Sequence, residues 1–260
     1  MTKQHDAGGT PIHLPETIAL FLDFDGTLVD IAERPESIVV EPMVPGALAR
    51  LRDRLEGALA VISGRPLAFL DERLGPQHFD AAGMHGLEYR LRGEARPCRP
   101  EEYPALRRAV GDLEKAIQPI GALLEDKGCS VAVHWRLVPE RADEARRIAQ
   151  AVATELGPDY RIQWGKAVAE ILPAAAGKGR VIERFLEEPP FRGRMPVFVG
   201  DDLTDEDGFR TVNARGGVSV RVGEGATVAR ARIGTPARLR HCLSAWADGA
   251  PFSLDRTTTG

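Results

Sequence analysis

Ile18-Ala19-Leu20-Phe21-Leu22-Asp23-Phe24-Asp25-Gly26-Thr27 is the stretch that decides the fold. An apolar run ended by acids and a glycine reads as a strand buried on both faces, as in a parallel sheet. In an extended segment, residues two apart point the same way, so Asp23 and Asp25 can face one pocket. Two carboxylates so placed can divide roles, one attacking and one passing protons. Gly26 lets the chain turn sharply out of the strand. Acids at a strand end also cap helices, so the pair alone leaves both readings open.

Outward from this stretch, the pattern alternates. Leu48, Leu51 and Leu55 give residues 46–56 a helical period, 58–62 reads as a second buried strand, and 66–74 as a second helix. Residues 79–83 are a third strand candidate. Far along the chain, 197–199 and 218–220 repeat the apolar pattern around a helix at 203–212. A closing helix begins at the Thr235-Pro236 cap and ends at Gly249. Strands alternating with helices predict a doubly wound, mostly parallel α/β sheet, whose polar site residues gather beyond the carboxyl ends of the strands. Asp23, Ser63 and Asp201 each end an apolar strand.

The middle of the chain has another rhythm. A helix at 102–117 precedes a hairpin, 122–125 and 129–136, around Asp126-Lys127-Gly128. A helix at 139–156 precedes a second hairpin, 160–164 and 167–172, around Gly165-Lys166. Helix-strand-strand-helix-strand-strand predicts a small antiparallel sheet with both helices on one side. Residues 104–173 therefore read as an inserted α+β cap domain, with 1–103 and 174–260 as the core.

A formal net charge of -4 over 260 residues argues against a nucleic-acid binder, which normally carries a basic patch. No apolar run is long enough to cross a bilayer, and residues 1–10 lack the apolar stretch of a signal peptide. Residues 251–260 read as a frayed tail. The three cysteines, Cys98, Cys129 and Cys242, are widely spaced, form no metal-type pair and leave an odd one. A reducing cytoplasm fits that usage.

Further polar motifs join the first. Gly200-Asp201-Asp202-Leu203-Thr204-Asp205-Glu206-Asp207 follows an apolar strand. Acids there can serve a helix dipole, the natural reading for Asp205, Glu206 and Asp207. Asp201, at the strand end, is placed to face the first pair. Converging carboxylates repel unless a cation joins them, and hard oxygen ligands suit Mg²⁺. Ser63-Gly64-Arg65 offers a hydroxyl and backbone amides at a helix start, a seat for phosphate. Lys178 opens another helix in Gly177-Lys178-Gly179. Each is weak in isolation; together they supply a complete phosphoryl-transfer set.

Asp-x-Asp-Gly-Thr, Ser-Gly-Arg, a helix-opening Lys and Gly-Asp-Asp-x-x-x-Asp, in this order, resemble the four motifs of the haloacid dehalogenase superfamily. The resemblance implies that Asp23 attacks phosphorus, that Asp25 acts as acid and then base, and that Ser63 and Lys178 grip phosphate oxygens. It implies Mg²⁺ held by the Asp23 carboxylate, the Asp25 carbonyl and the Asp201 carboxylate, with Asp202 and Asp205 orienting them.

The insertion then carries specificity, as a lid expected to exclude water from the ester. Alternation puts Val131, Val133 and Trp135 on one face and leaves His134 and Arg136 on the other; Ala169 and Ile171 likewise oppose Glu170. Glu125, Lys127, Arg136, Lys166 and Glu170 suit a polyhydroxylated ligand, since carboxylates accept from sugar hydroxyls and cations donate. Exposed charges on a small sheet also serve solubility, so spacing leaves that alternative open. Residues 124–136 (LEDKGCSVAVHWR), 165–171 (GKAVAEI) and 200–207 (GDDLTDED) resemble trehalose-phosphate phosphatases. That resemblance implies trehalose 6-phosphate as substrate and maps those five residues, with Ser63, Gly64 and Arg65, onto substrate-binding positions. It also covers Gly83-Met84-His85-Gly86, where the family usually has Ser in place of Met84.

The resulting expectation is a cytoplasmic, monomeric, Mg²⁺-dependent phosphatase of a small-molecule sugar phosphate, engaging neither nucleic acid nor membrane. Rival readings are a sucrose 6-phosphate or mannosyl-glycerate phosphate phosphatase, a catalytically dead sugar-phosphate sensor, and a receiver-type phosphate-binding module. Receiver modules lack an inserted cap, and their phosphoacceptor does not end the first strand.

Overall fold

The computed structural model describes residues 8–32, 37–75 and 79–257. The first half of the chain forms strands β1 (Gly8–His13) and β2 (Ile18–Leu22), helix α1 (Met43–Arg54), β3 (Leu59–Ile62), α2 (Leu67–Leu74), β4 (Asp80–Gly83), β5 (Glu88–Leu91) and β6 (Glu94–Arg96). Then come α3 (Pro104–Ile117), β7 (Leu123–Asp126), β8 (Val131–His134), α4 (Ala142–Leu156), β9 (Tyr160–Gly165) and β10 (Val168–Pro173). The chain closes with α5 (Lys178–Leu186), β11 (Met195–Gly200), α6 (Glu206–Ala214), β12 (Val218–Val222), β13 (Ala231–Ile233), α7 (Pro236–Ala247) and β14 (Ser253–Thr257).

Two compact units result: Met1–Arg96 with Gly177–Gly260, and Pro97–Ala176. The first holds an eight-stranded sheet in the order β13-β12-β11-β2-β3-β4-β5-β6. Pairing is parallel from β13 to β4 and antiparallel for β5 and β6. Every residue of β2 is fully buried, as its continuous apolar run requires at the centre of a sheet covered on both faces. Phe21, Phe185 and Phe191 interlock beneath it, with ring centroids 5.3 to 6.3 Å apart.

The end of the chain departs from expectation. Ser253–Thr257 is not a frayed tail but a strand that pairs antiparallel with Gly8–His13. Phe252 is buried against Trp246, with centroids 5.4 Å apart, and the Arg54 guanidinium lies 4.1 Å from its ring centroid. Two apolar side chains in a short polar stretch, Phe252 and Leu254, provide the anchoring; too few to show as periodicity. The expectations for residues 1–7 and 258–260 lie outside the described residues. No helix among the described residues is long and apolar enough to cross a membrane.

In the second unit, the sheet order is β7-β8-β10-β9, antiparallel throughout. Val131, Val133, Trp135, Ala169 and Ile171 pack with Leu106, Leu113 and Ile117 of α3 and Ala145, Ala149 and Ala153 of α4. The opposite face carries the polar residues. A disulfide joins Cys98 to Cys129, Cα atoms 6.3 Å apart, and does not include Cys242. The wide spacing that suggested a reducing cytoplasm did not reveal this pairing. Gly128, in the β7–β8 turn, packs close to Pro100, a proximity that no sequence period encodes.

Candidate active site

Sheet order explains how distant motifs meet. β2 lies between β11 and β3, so neighbouring strand ends deliver Asp201, Asp23 and Ser63 side by side. The Asp23 amide extends the ladder by donating to the Val199 carbonyl at 2.9 Å. Behind Asp23 the chain turns at Gly26, whose φ is +78°. A side chain there would be strained and would run into the Asp201 carboxylate, so the close approach of the two loops requires glycine.

Lys178, the first residue of α5, donates to Asp23 Oδ1 and to Asp205 Oδ1, each at 2.6 Å. All three side chains are almost entirely removed from solvent. Burial opposes the lysine's charge, but Asp205 and Asp23 outweigh it and hold the ammonium well above its ordinary range. Asp205 Oδ2 accepts from the amides of Asp201 and Asp202 at 2.9 and 3.0 Å. Asp202 in turn accepts from the Thr204 amide and hydroxyl at 2.6 Å each. Asp205 thus locks the loop after β11, a stronger role than its place in an acidic run suggests. Asp207 accepts from the Gly179 amide at 3.1 Å, capping α5 and fixing Lys178's helix.

Asp23, Asp201 and Asp205 offer carboxylate oxygens within 4.8 Å of one another. Burial pushes Asp201 up to about 7, with like charge from Asp205 and Asp202 adding to it. Burial also raises Asp23 and Asp205, partly opposed by Lys178. Both Asp205 oxygens are occupied by Lys178 and two amides, so Asp23 and Asp201 remain as the carboxylates suited to a cation. One lysine does not neutralise three crowded carboxylates; a hard divalent ion fits the donor set.

Ser63 is fully buried at the end of β3, its Oγ accepting from the Arg65 amide at 3.0 Å. Gly64 lies beneath the His85 imidazole, which leaves no room for a side chain. His85 adopts φ 57°, and its carbonyl accepts from the Gly177 amide at 2.8 Å. The 83–86 loop therefore ties the Ser63 loop to the start of the Lys178 helix. The sequence left Met84 and His85 without a role, because a histidine in a turn carries no distinguishing signal. Arg65 was expected among the substrate-binding positions. Here its Nε and Nη2 grip Asp25 Oδ2 and Oδ1, each at 2.9 Å, while the guanidinium lies 4.8 Å from the Phe69 ring centroid.

In the second unit, cross-strand register aligns Glu125, Ala132, Glu170 and Gln163 in one row across the sheet. Glu170 is largely buried; Ser130 Oγ donates to its Oε1 at 2.6 Å, and Lys127 Nζ to its Oε2 at 3.2 Å. His134 Nε2 bonds Glu125 Oε2 at 2.9 Å, and that bond lowers the glutamate's pKa. Arg136 lies exposed beyond β8, and Lys166 exposed in the β9–β10 turn. Ser130 and Gln163 were not singled out from sequence; strand register was the missing signal.

A parallel sheet whose adjacent strand ends assemble a lysine-bridged carboxylate cluster and a buried serine defines a hydrolase core of the haloacid dehalogenase type. The structure agrees with solved folds of that type. It matches a haloacid dehalogenase-like hydrolase from Bacteroides thetaiotaomicron at TM-score 0.65 and 14% identity, over 87% of this chain and 98% of that one. It matches the C-terminal domain of trehalose-6-phosphate phosphatase from C. albicans at TM-score 0.75 and 24% identity, over 89% of this chain and 92% of that one. The sequence model of the trehalose-phosphatase family matches residues 21–235. A probable trehalose-phosphate phosphatase of Sinorhizobium fredii is 45% identical over 206 residues, 79% of this chain and 77% of the relative. Trehalose-6-phosphate phosphatase of Escherichia coli is 42% identical over 216 residues, 83% of this chain and 81% of the relative. The chain belongs to the trehalose-phosphatase family.

Proposed function

We propose that this chain hydrolyses trehalose 6-phosphate to trehalose and inorganic phosphate, with Mg²⁺ at the Asp23–Asp201 cluster. The observation that carries the reading is the Lys178 ammonium bonded at once to Asp23 and Asp205 at the carboxyl end of the central strands. Asp23 Oδ attacks phosphorus, forming an aspartyl-phosphate as the bond from phosphorus to the sugar oxygen breaks. Asp25 donates the proton the leaving sugar oxygen needs. It then takes a proton from water, whose oxygen attacks phosphorus and restores the Asp23 carboxylate. Lys178 and the Ser63 hydroxyl hold the phosphate oxygens and offset charge that grows in transfer.

Asp23 and Asp201 carboxylates, with the Asp25 carbonyl, would hold Mg²⁺, which supplies charge neutralisation for an anionic nucleophile approaching an anionic ester. Arg65, still forked onto Asp25, is assigned to the phosphate together with the Gly64 amide. Specificity is assigned to the polar face of the second unit: Glu170, Lys127 and Glu125 for the sugar hydroxyls, with Arg136 and Lys166 beside them. A cytoplasmic location accords with a doubly charged sugar phosphate, which does not cross bilayers unaided.

Phosphate release across a panel of trehalose, sucrose and mannosyl-glycerate phosphates tests the reading. Trehalose 6-phosphate should give the highest kcat/KM, and chelation of Mg²⁺ should abolish it. A sucrose or mannosyl-glycerate ester that outperforms it would replace the substrate.

A further inference from the structure

The β7–β8 turn is pinned from two sides. Arg107 of α3 reaches the Gly128 carbonyl at 3.3 Å and pairs with Asp126. From the other side, the disulfide ties Cys129 to Cys98, on the segment that leads into α3. The two residues flanking Gly128-Cys129 are Lys127 and Ser130, both of which bond Glu170. Cys129 is fully buried, whereas Cys98 is partly exposed, so an external reagent reaches the pair through Cys98.

We propose that Cys98 and Cys129 are a reversible thiol–disulfide modification site that sets how firmly the β7–β8 turn holds Glu170. The co-reactant is a disulfide-class oxidant, such as a low-molecular-weight disulfide. The Cys98 thiolate attacks one of its sulfurs, breaks its S–S bond, expels one thiolate and forms a mixed disulfide. The Cys129 thiolate then attacks the Cys98 sulfur and expels the second thiolate. Two cysteine thiols are oxidised to one disulfide, one external disulfide is reduced to two thiols, and the two cysteine protons pass to the expelled thiolates. Excess dithiol reverses the exchange. In the disulfide form, the turn keeps Lys127 and Ser130 on Glu170. In the dithiol form, the turn loses its covalent tie to Cys98 and keeps only non-covalent contacts, Arg107 among them.

The consequence for turnover rests on the assignment of Glu170 to the sugar. The full chain is equilibrated with glutathione disulfide or with dithiothreitol, then alkylated and weighed. Cys98 and Cys129 should take up label only after reduction, with Cys242 as the internal reference. Amide hydrogen exchange at residues 127–130 should quicken on reduction. KM for trehalose 6-phosphate should rise roughly tenfold, the loss of about one charged hydrogen bond, while turnover of p-nitrophenyl phosphate stays unchanged. Cys98→Ser should show the reduced behaviour under both conditions, and Cys242→Ser should keep the response. Equal labelling in both states, or equal exchange at 127–130 and equal KM, would overturn the proposal. If neither form hydrolyses trehalose 6-phosphate, the substrate assignment fails, and exchange at 127–130 still decides the switch.

Discussion

Arg65 holds both carboxylate oxygens of Asp25 in a planar fork, each contact 2.9 Å. The geometry fixes the carboxylate two residues from Asp23, so the group proposed as acid and base is oriented by a partner forty residues away. A fork of this kind gives direction as well as charge, and a lysine cannot reproduce it. Arg65→Lys should therefore lower kcat/KM for trehalose 6-phosphate by roughly tenfold and Arg65→Ala by roughly a hundredfold, the scale of a misplaced catalytic group. Circular dichroism should remain that of the parent. Wild-type kinetics in Arg65→Lys would show that the fork has no role in turnover.

Lys178 lies between two buried carboxylates. Lys178→Met removes the cation bonded to both and leaves two buried carboxylates facing each other. Breaking a buried pair in this way costs about 3–5 kcal/mol. Urea unfolding of the metal-free variant should show that loss, and the variant supplied with Mg²⁺ should lack phosphatase activity. A change below about 1 kcal/mol would mean that the carboxylates are not held charged by the lysine.

In the metal-free protein, Asp201 is pushed up to about 7, and Asp23 and Asp205 are raised as well. Unfolded carboxyls titrate near 4, so the folded state binds more protons over the interval between. The stability these groups contribute is complete below the unfolded range and is lost as pH rises through the folded values. Metal-free Tm should thus fall between about pH 5 and pH 8, and the rise in Tm on adding Mg²⁺ should grow over the same window. Scanning calorimetry at several pH values checks both, and a Mg²⁺ shift independent of pH would contradict the cluster as its site.

Glu170 receives Ser130 and Lys127, which hold it in one orientation. Glu170→Ala should reduce kcat/KM for trehalose 6-phosphate by roughly a hundredfold, the scale set by leaving polar partners unpaired. Turnover of p-nitrophenyl phosphate, which offers no sugar hydroxyls, should change little. Equal losses on both substrates would remove the second unit from sugar recognition.

Much of the core site was legible because its residues end apolar runs. Asp23, Ser63 and Asp201 sit where strands stop, and parallel strand order then brings them together without further instruction. Asp205 was readable only as an orienting acid near a helix; its bonds to Lys178 and two amides depend on how α5 packs beside the β11 loop. Arg65 turns back onto Asp25 and stacks on Phe69, contacts that leave no period in the sequence. Alternation located Glu170 on the polar face, but the row that adds Gln163 required register. The Cys98–Cys129 pair and the strand at 253–257 are long-range contacts between short segments, where local patterns say least.

The central claim is that Asp23 carries trehalose 6-phosphate hydrolysis in concert with a divalent ion. Phosphate release from saturating trehalose 6-phosphate, followed for the parent chain and Asp23→Asn with and without Mg²⁺, tests it most directly. The account predicts steady release only from the parent with Mg²⁺, and no detectable release from the other three mixtures. Sustained release by Asp23→Asn, or by the parent after complete chelation, would contradict it.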